Sequence, residues 1–180
     1  NSAGTLDANG LAVTVTGLAT VSGGTYLAST ATQTFGGGLT ISGGTFTGSS
    51  GAVDVNGHLT ISSGTLTAPS GDFTVSGNWS KTGGTFTPGT STVTFDGGSG
   101  TQTLNSGATA FYNVIHSGAG TLQLTTNALT ISGTLSNSTG TFDANGLAVT
   151  VTGLATVSGC TYLASSATQA FNGGLTISGG

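Results

Sequence analysis

The chain has 180 residues and almost no charge: five Asp, no Glu, Lys81 as the only cation, and a formal net charge of −4. Nucleic acid and anionic bilayers are both bound through clusters of Lys or Arg, so neither partner is expected. No apolar run approaches the length of a membrane-spanning helix and no secretory leader is visible, so no membrane insertion is expected of this segment.

What remains favours strands. Apolar residues make up 35%, too many for a disordered, weakly hydrophobic polymer. Thr, Val, Ile and Phe suit pleated, half-buried positions, and the 34 Gly suit tight corners. Met is absent and long helix formers are scarce, so an all-β fold is expected. Cys160 is alone and has no intrachain disulfide partner. The first residue is Asn1 rather than Met, so the chain reads as a fragment or processed product.

In chain order, a Gly-Thr pair opens each unit. It stands at Gly4-Thr5 and returns every 20 residues, at Gly24, Gly44, Gly64 and Gly84. It then comes early, after 16 residues, at Gly100-Thr101, and resumes its spacing of 20 at Gly120-Thr121, Gly140-Thr141 and Cys160-Thr161. Counting from the Gly as zero, position +2 is apolar or aromatic: Leu6, Tyr26, Phe46, Leu66, Phe86, Leu122, Phe142 and Tyr162. Positions +9 and +11 form a second apolar pair, as in Val53 and Val55, Phe73 and Val75, Val93 and Phe95. Positions +15 and +17 form a third, as in Leu39 and Ile41 or Leu59 and Ile61, with Trp79, Ile115 and Leu135 also at +15. A separation of two is the strand period, so each unit holds three short strands with these residues inward and Thr, Ser and Asp outward. A Gly column at +13, Gly17 to Gly173, fits a corner that needs positive φ or has no room for a side chain.

No single coil of this kind can bury its apolar residues; stacking turns each column into a continuous interior ladder. The expected fold is therefore a right-handed parallel β-helix, or β-solenoid, of about nine coils, its hand taken from the chirality of parallel crossovers. At about 4.8 Å per coil the rod is on the order of 43 Å long.

A longer period overlies the coils. Residues 1–44 match residues 137–180 at an offset of 136, with six differences: Ala3/Thr139, Leu6/Phe142, Gly24/Cys160, Thr30/Ser166, Thr34/Ala170 and Gly36/Asn172. The chain thus reads as one solenoid segment: a long repeat of residues 1–136 and the start of the next. The short coil concentrates the expected irregularity between about Pro88 and Ala119, with a bulge or outside loop. Two registers fit there. One keeps Gln102 at +2; the other aligns Thr101-Gln102-Thr103-Leu104 with Thr32-Gln33-Thr34-Phe35.

The runs Gly-Thr-Phe-Thr-Pro-Gly-Thr-Ser-Thr-Val-Thr-Phe-Asp-Gly (84–97), Gly-Thr-Gln-Thr-Leu (100–104) and Phe-Tyr-Asn-Val (111–114) resemble the bacterial β-strand-repeat surface proteins. More distantly, the coils are similar to filamentous-haemagglutinin and autotransporter passenger stems. The resemblance implies a secreted or cell-surface, right-handed β-helix with an adhesive, fibrous or spacer role.

Candidate chemistry is thin. Asp7 and Asp143 share position +3 but lie seven coils apart, and Asp54, Asp72 and Asp96 suggest only a faintly acidic, solvated strip. His58 and His116 fall in or beside the corner before the third strand, without a second His or Cys to make a metal site. Cys160 reads as drift at a tolerant corner, and Trp79 as core. Asn78-Trp79-Ser80 and Asn137-Ser138-Thr139 match the short glycan-acceptor pattern. No catalytic, cofactor or metal residue is expected, and the chain is not read as an enzyme. Thr25, Thr45, Thr65, Thr85 and Thr101 form one column, and Thr47, Thr67, Thr87 and Thr103 a second beside it. That array is a candidate glycan- or ice-binding face, although Thr also simply favours exposed strand positions. The leading expectation is a structural or adhesive segment of an extracellular fibrous protein. Its partners would be further copies of itself, by covalent continuation, end-to-end stacking or lateral packing, with glycans as a further candidate.

Overall fold

The structure, a computed structural model, describes residues 1–179. All regular elements among them are strands, and every pairing between strands is parallel. Parallel pairing follows from the 20-residue spacing, because each circuit returns the chain to the face it left, one strand spacing along the axis. The molecule is a β-solenoid of eight coils and two strands of a ninth.

The coil has three faces. Thr5–Asp7, Thr25–Leu27 and the Gly-Thr strands up to Thr85–Thr87 stack on the first, in register Thr5↔Thr25↔Thr45↔Thr65↔Thr85. Val13–Val15, Gln33–Phe35, Val53–Val55, Phe73–Val75 and Thr92–Phe95 stack on the second. Ala19–Val21 and Trp79–Lys81 belong to the third, joined by the leading halves of two ten-residue strands, Gly38–Thr47 and His58–Thr67. Each long strand bends through the corner into the next first-face strand, where the register shifts between Ile41 and Thr45. The inward columns are mostly apolar: Phe46, Leu66, Phe73, Val75, Leu59 and Ile61 are all fully buried.

Two kinds of glycine make the corners. At +13 the reason is space, not φ. A Cβ on Gly37 would lie 2.5 Å from the carbonyl carbon of Gly17, and one on Gly57 equally close to that of Gly37. Gly of the Gly-Thr pair instead adopts positive φ at most positions, such as +63° at Gly24 and +59° at Gly84. At Cys160 the left-handed residue moves back by one, to Gly159 at +67°, and that shift is how a side chain fits where Gly24 stood.

The short coil changes which strand lies on which face. After Thr85–Thr87 and Thr92–Phe95 take the first and second faces, no +15/+17 strand follows. The next Gly-Thr strand, Thr101–Asn105, takes the third face instead, pairing Leu104 with Trp79 and Asn105 with Ser80. Every later strand inherits this rotation. Thr121–Leu124, Thr141–Asp143 and Thr161–Leu163 continue on the third face. Asn113–His116, Leu135–Asn137, Ala155–Ser158 and Leu175–Ser178 stack on the second, above Thr92–Phe95. Leu129–Ile131, Val149–Val151 and Gln169–Phe171 form a separate sheet on the first face. Thr85–Thr87 pairs only with the strand before it, so the first-face ladder breaks there and resumes with a lone bridge from Phe111 to Ile131.

Side chains span the break. Trp79 lies 4.9 Å from Phe86 and 5.0 Å from Phe111, and Phe86 lies 5.3 Å from Phe111, centroid to centroid. Of the two registers open for Gln102, the structure takes the Gly-Thr one, pairing Gln102 with Leu122. Gln102 is nonetheless buried, and its Nε2 donates to the carbonyls of Val75 and Gly77 at 2.6 Å each. Its Oε1 accepts the N–H of Gly97 at 3.3 Å, so the amide seals the shortcut left by the missing strand.

One column assignment needs correction. Ile115 was expected inward at +15, but Val114 and His116 point inward and Ile115 is half-buried. The strand pairs Val114 with Leu135, one residue out of phase with the Gly-Thr count. The side chain of Asn113 fills the gap: its Oδ1 accepts from the N–H and the Oγ1 of Thr134 at 2.8 and 3.1 Å.

Candidate binding face

The threonines divide between two faces. Thr25, Thr45, Thr65 and Thr85 form an unbroken in-register column on the first face. Thr47, Thr67 and Thr87 run beside it, and Leu27 ends that second column at the coil before. Thr25, Thr45, Thr47, Thr65 and Thr67 are half-buried by their ladder neighbours, while Thr85 and Thr87, at the break, are exposed. Thr101 and Thr103 do not extend this array. They start a lane on the third face, where Thr103 is followed by Gln123, Asp143 and Leu163. The Thr-x-Thr array is therefore three rungs deep, about 10 Å along the axis at the strand spacing.

The carboxylates serve the strands and corners. Asp54 accepts from Thr74 Oγ1 at 2.9 Å and Asp96 from Ser76 Oγ at 2.7 Å, each across one coil. Asp143 accepts from Gln123 Nε2 and from the N–H of Asn145. Asp7 makes the same turn contact to the N–H of Asn9 but lies on the first face, whereas Asp143 lies on the third. No group of three metal-ligating side chains gathers among the described residues.

The two histidines have different surroundings. His58 is exposed, and its Nδ1 accepts the N–H of Asn78 at 2.9 Å. His116 is inside the tube, stacked between Phe95 and Asn137 in the ladder. Asn137 uses its Nδ2 to donate to the carbonyl of Thr161 at 2.7 Å, which leaves Oδ1 facing the ring. His116 Nδ1 therefore carries the proton and donates to that oxygen, 2.8 Å away. Burial holds the His116 pKa below its ordinary value, and the hydrogen bond it donates to Asn137 offsets part of that fall. Asn137 is fully buried, with the nitrogen that would carry a glycan already engaged.

No family model matches this chain, and neither a curated protein nor a solved structure does.

Further interior polar groups escaped the sequence reading. Gln33 is fully buried: its Oε1 accepts the Tyr26 hydroxyl, and its Nε2 donates to the carbonyls of Leu11 and Ala31. Tyr162 and Gln169 repeat the arrangement in the second copy. Lys81 is buried where Ile61 stands one coil earlier. The signal was present in each case, as a polar residue in an apolar column. Cys160 is half-buried, and its Sγ–H donates to the carbonyl of Asn137 at 2.8 Å. Gln33, Gln169 and Cys160 each bond to the backbone of the coil before.

Proposed function

We propose that this chain is a structural, adhesive repeat segment of a large extracellular or cell-surface fibrous protein, a stalk or filament. One observation carries the reading. A 44-residue sequence occurs twice along one rod, and copies of its strands are capped on both edges wherever a neighbouring coil exists. Such a unit adds length without changing cross-section. The weakly charged Ser/Thr exterior and the polar groups spent on coil-to-coil contacts support a passive rod over an enzyme. The resemblance to β-strand-repeat surface proteins supports the location.

The array of threonines supports a binding role less well, since it spans three rungs and then meets a break in its sheet. Electron microscopy of the native array tests the fibre reading. Rods of solenoid width are the expected result; compact isolated particles would overturn it. Antibody labelling of intact cells tests the location, and signal only after lysis would count against it.

A further inference from the structure

The crowded corner at +13 constrains the chemistry of the residue before it. Gly57 has no room for a Cβ, which would lie 2.5 Å from the carbonyl carbon of Gly37, and Gly77 is held to glycine by Gly57 in the same way. Any Asn at +12 is therefore followed by Gly, and Asn56 is such a residue. Asn is chemically labile, and most so before Gly, where no side chain shields the following amide nitrogen. The packing of the coils thus supplies the neighbour that leaves the Asn56 side-chain amide open to attack.

Local geometry separates this pair from Asn145-Gly146. Both Asn residues are exposed, and both stand in coils with a neighbour on either side. Asn56 Nδ2 has one contact, a 3.3 Å bond donated to Oδ2 of Asp54 within the same coil. The N–H of Gly57 has no acceptor among the described residues. Asn145 lies in the left-handed region at φ +45°; its N–H donates to Asp143 Oδ1 at 2.8 Å and its Nδ2 to the carbonyl of Leu124 at 2.9 Å. The turn is closed by Leu147, whose N–H donates to the carbonyl of Ala144 at 2.8 Å. Gly146 N–H is free as well, so the two pairs differ in the side chain and not in the attacking nitrogen. To cyclise, Asn145 must release its bond to the coil before, whereas Asn56 gives up a single long contact at the surface.

We propose that Asn56 is a site of spontaneous deamidation in the folded rod, converting ahead of Asn145. The nitrogen of Gly57 loses its proton to solvent and attacks Cγ of Asn56. The new N–C bond closes a succinimide, the Cγ–Nδ2 bond breaks, and the departing group takes up a proton and leaves as ammonia. Water then opens the ring at either carbonyl, giving Asp or the β-linked isoaspartate. Both products alter the corner. A carboxylate at 56 faces Asp54 where an N–H stood, so like charges meet. The isoaspartyl form also adds a main-chain methylene where the coils are in backbone contact. Gly77, whose N–H donates to the Gly57 carbonyl at 3.1 Å, is the neighbour that registers the change. The reaction needs only the folded rod, so it stands or falls apart from the fibre reading.

The test is to age the folded chain at neutral and at mildly alkaline pH and to follow each Asn by fragment-ion mass spectrometry. Electron-transfer fragmentation distinguishes isoaspartate from Asp. Asn56 should convert several-fold faster than Asn145, and faster still at the higher pH. In urea, where the turn around Asn145 is gone, the two should convert at similar rates. Asn145 converting as fast as Asn56 in the folded chain overturns the proposal, as does an Asn56-to-Asn145 ratio that is the same folded and unfolded. Amide exchange at Gly77 should speed up in the aged wild type. Asn56→Ser places there the residue type that Ser76 has one coil later, and it should abolish that change. Exchange at Gly77 that speeds up equally in the aged variant overturns the assignment to residue 56. The conversion rates are read on wild-type protein, so they decide the matter even if the variant does not fold.

Discussion

His116 is a titratable residue whose chemistry the fold alters. It sits in an interior column between Phe95 and Asn137, and burial lowers its pKa. The unfolded chain then binds a proton at a pH where the folded chain does not. Stability is therefore level above the ordinary histidine value of about 6.5 and falls as pH drops from there toward the lower folded value. The urea midpoint should drop between pH 7.5 and pH 5, and His116→Gln, which keeps a donor for Asn137, should flatten the drop. A His58→Gln background removes the other imidazole; an unchanged slope in His116→Gln would exclude His116 as the cause. Trp79 carries a different weight. Its ring touches Phe73, Phe86, Phe95 and Phe111, and its Nε1 is buried without a partner. Trp79→Ala should cost about 3–5 kcal/mol by denaturation followed through circular dichroism. Trp79→Phe keeps an aromatic ring and removes the unpaired N–H, so its loss should be distinctly smaller; equal losses would show that the ring is not what matters.

At the scale of the strand, most of the interior was legible because a period of two within a period of 20 leaves few choices. Phe46, Leu66 and Phe73 lie where their columns put them. Ile115 did not, because Val114 and Ile115 are both apolar and alternation cannot tell which faces in; Asn113, standing in for a missing backbone residue, decides it. The threonine column was over-extended for a related reason. Spacing records distance along the chain but not the face on which a strand lands, so Thr101 looked like the next rung after Thr85. Gln102 is the element-scale cost of the omitted strand, since it replaces ladder bonds with side-chain bonds. Gln102→Leu matches the Leu122 column yet leaves the carbonyls of Val75 and Gly77 without their donor. It should destabilise by about 1–3 kcal/mol and speed amide exchange at Gly97. A variant as stable as the wild type, with Gly97 still protected, would mean that the amide is not what closes the short coil.

For the whole molecule the short coil has a larger consequence. From Thr5 to its counterpart Thr141 the chain advances 136 residues, but Thr5 lies on the first face and Thr141 on the third. The long repeat therefore contains six coils and two further strands, not seven coils. In a tandem array each repeat is turned by a third of a revolution from the one before, and three repeats restore the original face after 20 coils. At the strand spacing this gives a rise of about 32 Å per repeat and a full period of about 96 Å. Any patch built into the repeat, the Thr-x-Thr array included, then faces three directions in succession and never forms one continuous lane. A rod of this kind has no preferred side, which suits lateral contacts in a fibre or mat and suits a flat ligand poorly. Helical reconstruction of a tandem array of this repeat should find a one-third turn with a rise of about 32 Å per repeat. Repeats related by translation alone, with six or seven whole coils between them, would contradict the strand exchange at Thr101.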